Sequence, residues 1–230
     1  MRKKALLRRG GALIRSWGRG LAEILYPGGA VCLGCGRLSD GECLCPACRE
    51  ELRYSDVLDS WQMRDIGGVP VWCMRPHRDL PRKLVLRLKH GTEARAAKAM
   101  AGMLRDRPDY FLHPAPGTVV TWVPGPKGRI RERCIDHGKR LAEAVAAELG
   151  LECRPLLIRK KNDRAQARLN REARRENLKK TFAPAERIGC PVLLVDDVLT
   201  TGTTARRCLE ALREGGAEEI EVLTVTKAAG

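Results

Sequence analysis

The chain has 230 residues, 43 of them basic and 28 acidic, which gives a formal net charge of +15 at pH 7. This length allows one substantial α/β domain and a small appendage, and the positive charge favours an anionic partner such as a nucleotide, a nucleic acid or a phosphorylated substrate. The aromatic content of 4% argues against a broad base-stacking surface, and no apolar run approaches the roughly 18 residues that a membrane-spanning helix needs.

The first 26 residues mix basic and apolar positions. Glycines at positions 10, 11, 18 and 20 weaken a helix there, so we expect a basic tail followed by a short helix from Leu21. Arg8, Arg9 and Arg15 interrupt the apolar stretch that a secretory signal requires. Ten cysteines without such a signal favour a reducing compartment, and we expect a cytoplasmic protein.

Two Cys-x-x-Cys pairs follow this tail, with nine residues between Cys35 and Cys45. Four thiolates at this spacing can surround Zn²⁺ as a tetrahedron at about 2.3 Å, which closes the coordination sphere and leaves no open catalytic position. Cys43 competes with Cys45 by proximity, but only Cys45 has the two-residue spacing to Cys48. The sequence therefore predicts a structural zinc ribbon over residues 27–55, with the ligands Cys32, Cys35, Cys45 and Cys48.

A linker from Arg53 to about Gly68 leads into a region of alternating strand and helix patterns. The predicted strands cover residues 69–74, 119–124, 154–158, 188–195 and 219–225. The predicted helices cover residues 80–90, 94–104, 137–149 and 205–212. Lys89 ends the first of these helices next to a glycine, where it can reach an anion, although a lone lysine at a helix end is more often solvated.

Two basic segments interrupt this region. The first is a loop after the strand at 119–124, with Lys127, Arg129, Arg131 and Arg133. The second, residues 159–180, has ten basic and three acidic residues. A connection of this length between two strands of a compact sheet is unusual, and it predicts a lid over a substrate or an arm that grips a nucleic-acid backbone. The alternative for the second segment is a solvated charged helix.

The motif at residues 192–204 has the most specific chemistry in the chain. Val192 to Val195 predict a strand buried on both faces that ends at Asp196 and Asp197. The Thr/Gly turn that follows leads into a helix, and free N–H groups at a helix start, together with the helix dipole, favour a phosphate. Carboxylates at the carboxyl end of a strand suit sugar hydroxyls or a hydrated Mg²⁺. No lysine follows Gly202, which disfavours a P-loop nucleoside triphosphatase.

The strand, paired acids and Thr/Gly turn resemble the phosphoribosyl pyrophosphate (PRPP) signature of type I phosphoribosyltransferases. The whole chain resembles the ComF family, the ComFC and GntX-like proteins. The family pattern is matched by Leu21, Leu25, Pro27, Cys32 and Cys35, then Val123-Pro124-Gly125-Pro126, then Gln166, Leu169, Arg174, Asn177 and Phe182. One step departs from it, because Cys134 stands where the family has glycine after the basic loop. This departure puts catalysis, rather than phosphate binding, in question.

The resemblance implies an α/β fold, with a type I phosphoribosyltransferase-like parallel-sheet domain over residues 65–230 preceded by the four-cysteine zinc ribbon. It implies that Asp196 and Asp197 hold the ribose and that Mg²⁺ accompanies PRPP. The 5′-phosphate would be held by Thr200, Thr201, Gly202, Thr203 and Thr204. The candidate pyrophosphate ligands are Lys89, Arg131 and Arg133.

The implied function is that of a PRPP-binding phosphoribosyltransferase-like protein linked to natural competence and DNA uptake. The alternative is a non-catalytic competence factor that uses the fold as a scaffold and binds single-stranded DNA or a competence helicase. A third interpretation takes the charge as a solubility feature alone. No residue in the sequence stands out as recognising an acceptor base.

Overall fold

The computed structural model describes residues 31–39, 41–54, 61–90, 94–126, 136–160 and 181–228. The chain divides into two compact units, Met1–Leu52 and Arg53–Gly230. No described helix is long and apolar enough to cross a membrane. Several predictions lie outside the described residues: those for the tail at 1–26, most of the basic segment at 159–180, Arg131, Arg133 and Cys134.

The first unit is organised by turns around its cysteines. Val31 and Leu38 form an antiparallel bridge. The Leu33 N–H donates to the Cys43 carbonyl over 2.9 Å, which ties the two cysteine-bearing stretches together. Helix α1, Pro46–Tyr54, begins inside the second Cys-x-x-Cys pair. The buried leucines of this unit are Leu33, Leu44 and Leu52.

The second unit contains eight described strands. In chain order they are β1 (Gln62–Asp65), β2 (Pro70–Pro76), β3 (Val119–Trp122), β4 (Glu152–Cys153), β5 (Leu157–Arg159), β6 (Phe182–Pro184), β7 (Val192–Leu199) and β8 (Ile220–Lys227). Six of them form one sheet in the order β1-β2-β8-β7-β3-β4. All neighbours in it are parallel except β1 and β2. β5 and β6 form a separate antiparallel pair.

Helices cover both faces of the large sheet. They are α2 (Asp79–His90), α3 (Ala94–Ala101, continued by a 3-10 turn over Gly102–Asp106), α4 (His137–Leu149) and α5 (Thr203–Glu214). α2 packs on β2 and β8, α4 packs on β3 and β7, and α3 contacts both helices. α5 packs against β5 and β6 and buries Leu209 and Leu212 in one core cluster with Leu194 of β7. Leu194 therefore points to the α5 face, and its neighbours in the strand alternate with it.

The fold class is the one that the sequence predicts: an α/β unit with a mostly parallel sheet, and a four-cysteine cluster near the N-terminus. The predicted helix over 137–149 is confirmed as α4. The helix predicted over 94–104 is shorter, because α3 ends at Ala101 and tightens into the 3-10 turn.

Three strand predictions were wrong. β1 lies inside the predicted linker, because its sequence Gln-Met-Arg-Asp is an edge strand with mostly exposed side chains and no apolar alternation. β5 lies outside the large sheet and pairs with β6, so the basic segment connects the two strands of this antiparallel pair. The Lys160 N–H donates to the Thr181 carbonyl over 3.0 Å, where the segment begins and ends. β7 does not end at the two acids but continues to Leu199.

Candidate functional site

The two acids of the motif lie within β7, near its carboxyl end, and point to opposite faces of the sheet. Side chains alternate along a strand, so Asp196 shares the α5 face with Leu194 while Asp197 faces α2 and α4. Contacts agree with this placement, because Asp197 lies beside residues of α2 and α4. On the other face, burial raises the pKa of the Cys208 thiol in α5, and the negative charge of Asp196 raises it further. The acids therefore have separate environments.

Asp197 is flanked by basic side chains from two helices. Lys89 Nζ, in the last turn of α2, lies 2.8 Å from Asp197 Oδ1, and His137 Nε2, in the first turn of α4, lies 3.7 Å from Oδ2. The Asp197 side chain is 9% exposed and that of Lys89 is 29% exposed. Burying a carboxylate without a charged partner costs free energy, and the ammonium group of Lys89 offsets that cost for Asp197.

Asp196 is in a different electrostatic state. Its burial, and then the negative charge of Asp197, raise the pKa of Asp196 to about 7. The Asp197 N–H donates to Asp196 Oδ1 over 2.9 Å, and with the charge of Lys89 it opposes this rise in pKa. Near neutral pH the site therefore combines an acid that readily takes up a proton with a carboxylate in an ion pair.

The loop after β7 turns directly into α5. Gly202 precedes the helix with φ of +73°, in the left-handed region that favours glycine. A Cβ at this position would lie 2.6 Å from Ile66 Cδ1, so a larger residue would require the Ile66 side chain to shift in addition to adopting a strained φ. The exposed hydroxyls of Thr201 and Thr203 lie 3.0 Å apart at the start of the helix. Hydroxyls and first-turn N–H groups at a helix start form a cradle for an anion.

His137 is a residue of this site that the sequence does not single out. Asp136 caps α4, with its side chain accepting hydrogen bonds from the N–H groups of Gly138 and Lys139. Trp122 Nε1 also donates to Asp136, over 3.2 Å, which fixes the cap against β3. The cap places His137 beside Asp197. A histidine just inside a predicted helix gives no signal of this contact, since it depends on the packing of α4 on β7.

The site thus joins three segments that are distant in the chain. The structure brings together Lys89, His137, Asp196, Asp197 and the Thr/Gly loop, whereas Arg131 and Arg133 lie outside the described residues. A cavity of about 350 Å³ lies at the other edge of the sheet, against the starts of β7 and β8, and is separate from this site. The arrangement at the carboxyl edge can hold an anionic group at the loop and polar groups at the acids.

The four predicted cysteines come together in the first unit. The Sγ atoms of Cys32, Cys35, Cys45 and Cys48 all lie within 4.8 Å of one another, and this is the group of metal-ligating side chains found among the described residues. Cys35 Sγ and Cys45 Sγ are 3.7 Å apart, close to the edge of about 3.8 Å of a tetrahedron of sulfurs at 2.3 Å from one ion. Cys43 is not in the group.

Backbone N–H groups converge on one of these sulfurs. The N–H groups of Gly34 and Cys45 donate to Cys32 Sγ over 3.3 Å and 3.2 Å. Burial would raise the pKa of Cys32, but these and other backbone donors outweigh it and lower the pKa to about 6. The thiolate is the form that binds metal, so the cluster is compatible with structural zinc.

Part of the chain is similar to proteins that are already known. Residues 134–229 match the family model of the phosphoribosyl transferase domain. A search of curated protein sequences found no match. Similar solved structures include glutamine PRPP amidotransferase from B. subtilis, at 22% identity and a TM-score of 0.45, with 61% of this chain and 30% of that chain covered. The chain thus spans about 30% of the length of that amidotransferase.

Two shorter enzymes are also similar. A phosphoribosyltransferase from Corynebacterium diphtheriae has 17% identity and a TM-score of 0.36, with 64% of this chain and 94% of that chain covered. Adenine phosphoribosyltransferase from Leishmania donovani has 17% identity and a TM-score of 0.38, with 72% and 75% covered. The match to the family model covers less than half of the chain and includes the whole motif at 192–204 and α4.

Proposed function

We propose that the chain is a PRPP-binding, phosphoribosyltransferase-like protein. The observation that supports this most strongly is the ion pair between Lys89 and Asp197. Asp197 and the glycine-led helix start lie within the residues that match the phosphoribosyl transferase model, and Lys89 reaches Asp197 from outside them. A phosphorylated ribose with a pyrophosphate has the groups that these residues suit: hydroxyls for carboxylates, and phosphates for N–H groups and cations.

The proposed roles follow the position of each group. Asp196 and Asp197 accept or exchange hydrogen bonds with the ribose hydroxyls, and the 5′-phosphate is held by Thr200, Thr201, Gly202, Thr203 and Thr204. Lys89 serves the pyrophosphate, with Arg131 and Arg133 as the further candidates. Lys89 already lies beside Asp197, so one cation can serve both the sugar-binding acid and the leaving group.

Two metal ions belong to this proposal. Zn²⁺ would be held by the four clustered cysteines and would stabilise the first unit, in which the metal replaces a larger apolar core. Mg²⁺ would arrive with PRPP, where it neutralises the charge of the pyrophosphate.

A second candidate function is supported by charge. The net charge of +15, with ten basic residues between positions 159 and 180, suits the backbone of single-stranded DNA. This is the competence role that the ComF resemblance implies, with DNA or a competence helicase as the partner. It predicts DNA affinity that falls steeply with salt, because bound phosphates release counterions. An affinity for DNA that does not change with salt would contradict it.

Titration calorimetry of Mg-PRPP into the zinc-loaded protein tests the leading proposal. We expect saturable binding, weakened by about 100-fold or more in the Asp196→Asn, Asp197→Asn double variant, since a hydrogen bond to a charged group contributes about 1.5–3 kcal/mol. Glu210→Gln, which removes an exposed acid from α5, is the matched control and should bind normally. Absence of binding to the wild-type protein, or equal binding to the double variant, would refute the proposal.

A further inference from the structure

His77 lies at the same edge of the sheet as the acids of β7. It is the first residue after β2, which is parallel to β8, which in turn is parallel to β7. The carboxyl ends of parallel strands lie at one edge of a sheet. His77 directly follows the carboxyl end of β2, so it lies at the same edge as Asp197. The His77 N–H donates to the Lys227 carbonyl at the end of β8 over 2.7 Å, which fixes the backbone there.

A chain of two hydrogen bonds determines the tautomer of this histidine. Thr226 Oγ1 donates its single hydroxyl proton to the Asp197 carbonyl oxygen over 3.1 Å. Thr226 Oγ1 also lies 2.8 Å from His77 Nδ1. With the hydroxyl proton assigned to the Asp197 carbonyl, the hydrogen-bond network assigns Nδ1 as the donor in this second bond. Neutral His77 therefore has its proton on Nδ1 and a lone pair on Nε2.

The charges around His77 favour that neutral form. Burial lowers the pKa of His77, and the positive charges of Lys89 and Arg82 in α2 lower it further, whereas Asp197 in β7 opposes them. From β8, the contact is the hydroxyl of Thr226. The pKa of His77 is therefore below the ordinary histidine value of 6.5. At neutral pH the imidazole is uncharged, and one of its nitrogens can accept a hydrogen bond or a proton.

Transfer of a phosphoribosyl group to a nitrogen nucleophile leaves one proton to be removed. The nitrogen forms a bond to C1 of the ribose, the bond from C1 to the pyrophosphate oxygen breaks, and its electron pair leaves with the pyrophosphate. The N–H of the nucleophile then needs a base. The proposed function supplies the ribose and pyrophosphate ligands but no such group.

We propose that Nε2 of His77 accepts the proton that a nitrogen nucleophile loses as it attacks C1 of PRPP. This inference rests on the proposed function, and it makes His77 a catalytic residue on the acceptor side of the site. Thr226 is then a positioning residue, because it presents the Nε2 lone pair by holding the proton on Nδ1. After the transfer, the imidazolium returns its proton to solvent.

The acids of the site are less suited to this task. Asp197 is already held in an ion pair with Lys89. Asp196 faces α5 rather than the α2 face where His77 has its charged neighbours. His137 is a second histidine of this face, and its Nε2 lies 3.7 Å from Asp197 Oδ2. Nδ1 of His77 is instead engaged by Thr226, which leaves Nε2 as the atom for the proton.

His77→Asn separates the proposed role from a structural one. The asparagine amide can still donate to Thr226 from near the position of Nδ1, but it has no group at the position of Nε2. His77→Gln is the complementary variant, with an amide near Nε2 and no base. His113→Asn, at an exposed histidine on the other edge of the sheet, is the matched control.

The assay is pyrophosphate release from Mg-PRPP, with ammonium and free purine and pyrimidine bases as acceptors. We expect His77→Asn and His77→Gln to bind PRPP with the wild-type affinity but to release pyrophosphate about 100-fold more slowly or worse. Imidazole in solution should partly restore the rate of His77→Ala. The wild-type rate should fall in acid with an apparent pKa below 6.5, and His77→Asn should lose this limb.

Four outcomes would overturn the inference. The first is wild-type turnover that His77→Asn leaves unchanged. The second is a wild-type protein that binds PRPP but releases no pyrophosphate with any acceptor, which leaves the proposed binding function intact. The third is a wild-type protein that does not bind PRPP in the calorimeter, in which case the proposed function fails as well. Equal loss of PRPP affinity and rate in His77→Asn would assign the residue to the fold instead.

Discussion

Asp196 offers a direct test of the electrostatics of the site, because we expect its replacement by asparagine to stabilise the protein without ligand. Asp196→Asn keeps the shape of the side chain and an acceptor for the Asp197 N–H, which donates to Asp196 Oδ1 in the wild-type chain. It removes a group that is harder to ionise in the folded chain than in the unfolded chain. The gain in stability should therefore appear only at pH values at which Asp196 is ionised in the unfolded chain.

The sign and size follow from the raised pKa. Folding raises the pKa of Asp196 from 3.8 to about 7, so the proton favours the folded state: this stability is fully present below pH 3.8 and is lost as the pH rises to about 7. The difference corresponds to about 4 kcal/mol at 1.36 kcal/mol for each tenfold change in proton affinity. Asp196 is only partly buried, and screening by solvent reduces the effect, so we expect Asp196→Asn to gain about 1–3 kcal/mol at pH 8.

Urea unfolding at pH 4, 6 and 8 measures this difference. The wild-type protein should lose stability relative to Asp196→Asn as the pH rises, and Glu210→Gln, at an exposed position of α5, should follow the wild type at every pH. Parallel pH curves for the wild type and Asp196→Asn, or a less stable variant at pH 8, would refute the electrostatic reasoning. A confirmed gain would also show that lost PRPP binding in an asparagine variant is not caused by unfolding.

Three further perturbations test other parts of the molecule. Lys89→Met should lower the free energy of unfolding by about 1–3 kcal/mol at pH 8, since it removes the closest cation from the buried Asp197 carboxylate. A double-mutant cycle with Asp197→Asn should show that the two side chains are energetically coupled, and additive effects would contradict the ion pair. Gly202→Ala should cost about 1–3 kcal/mol from both φ and the contact with Ile66, and Ile66→Ala should recover only the contact; full recovery would argue against backbone strain. Zinc chelation, or Cys48→Ser, should expose residues 31–52 to protease while the melting of the second unit stays unchanged; equal protease resistance with and without zinc would contradict the metal site.

Local patterns in the sequence were enough to predict much of the fold. β3, β7, β8 and α4 have apolar runs or helical spacing that need no tertiary information, and the two Cys-x-x-Cys pairs indicate a metal cluster by spacing alone. β1 could not be predicted this way, because a polar edge strand is held by pairing to β2 rather than by its own buried face.

The opposite orientation of the two acids could have been predicted. Val198 and Leu199 resume the apolar pattern after Asp196 and Asp197, which indicates that the strand continues through them. Alternation along a strand then separates adjacent side chains. The contact of Lys89 with Asp197 could not have been predicted, since it depends on how the end of α2 packs over β8 and reaches β7.

The different states of the two acids change how a sugar would be recognised. Asp197, beside Lys89, is an acceptor, whereas Asp196 takes up a proton near neutral pH and is then a donor as well. One ligand hydroxyl can donate to Asp197 and another can accept from Asp196, whereas a phosphate or carboxylate group is repelled by Asp197. The acids therefore select hydroxyls, and the anion is directed to the helix start at Gly202. Under the proposed function, the ribose hydroxyls of PRPP meet the acids and its 5′-phosphate meets the helix start.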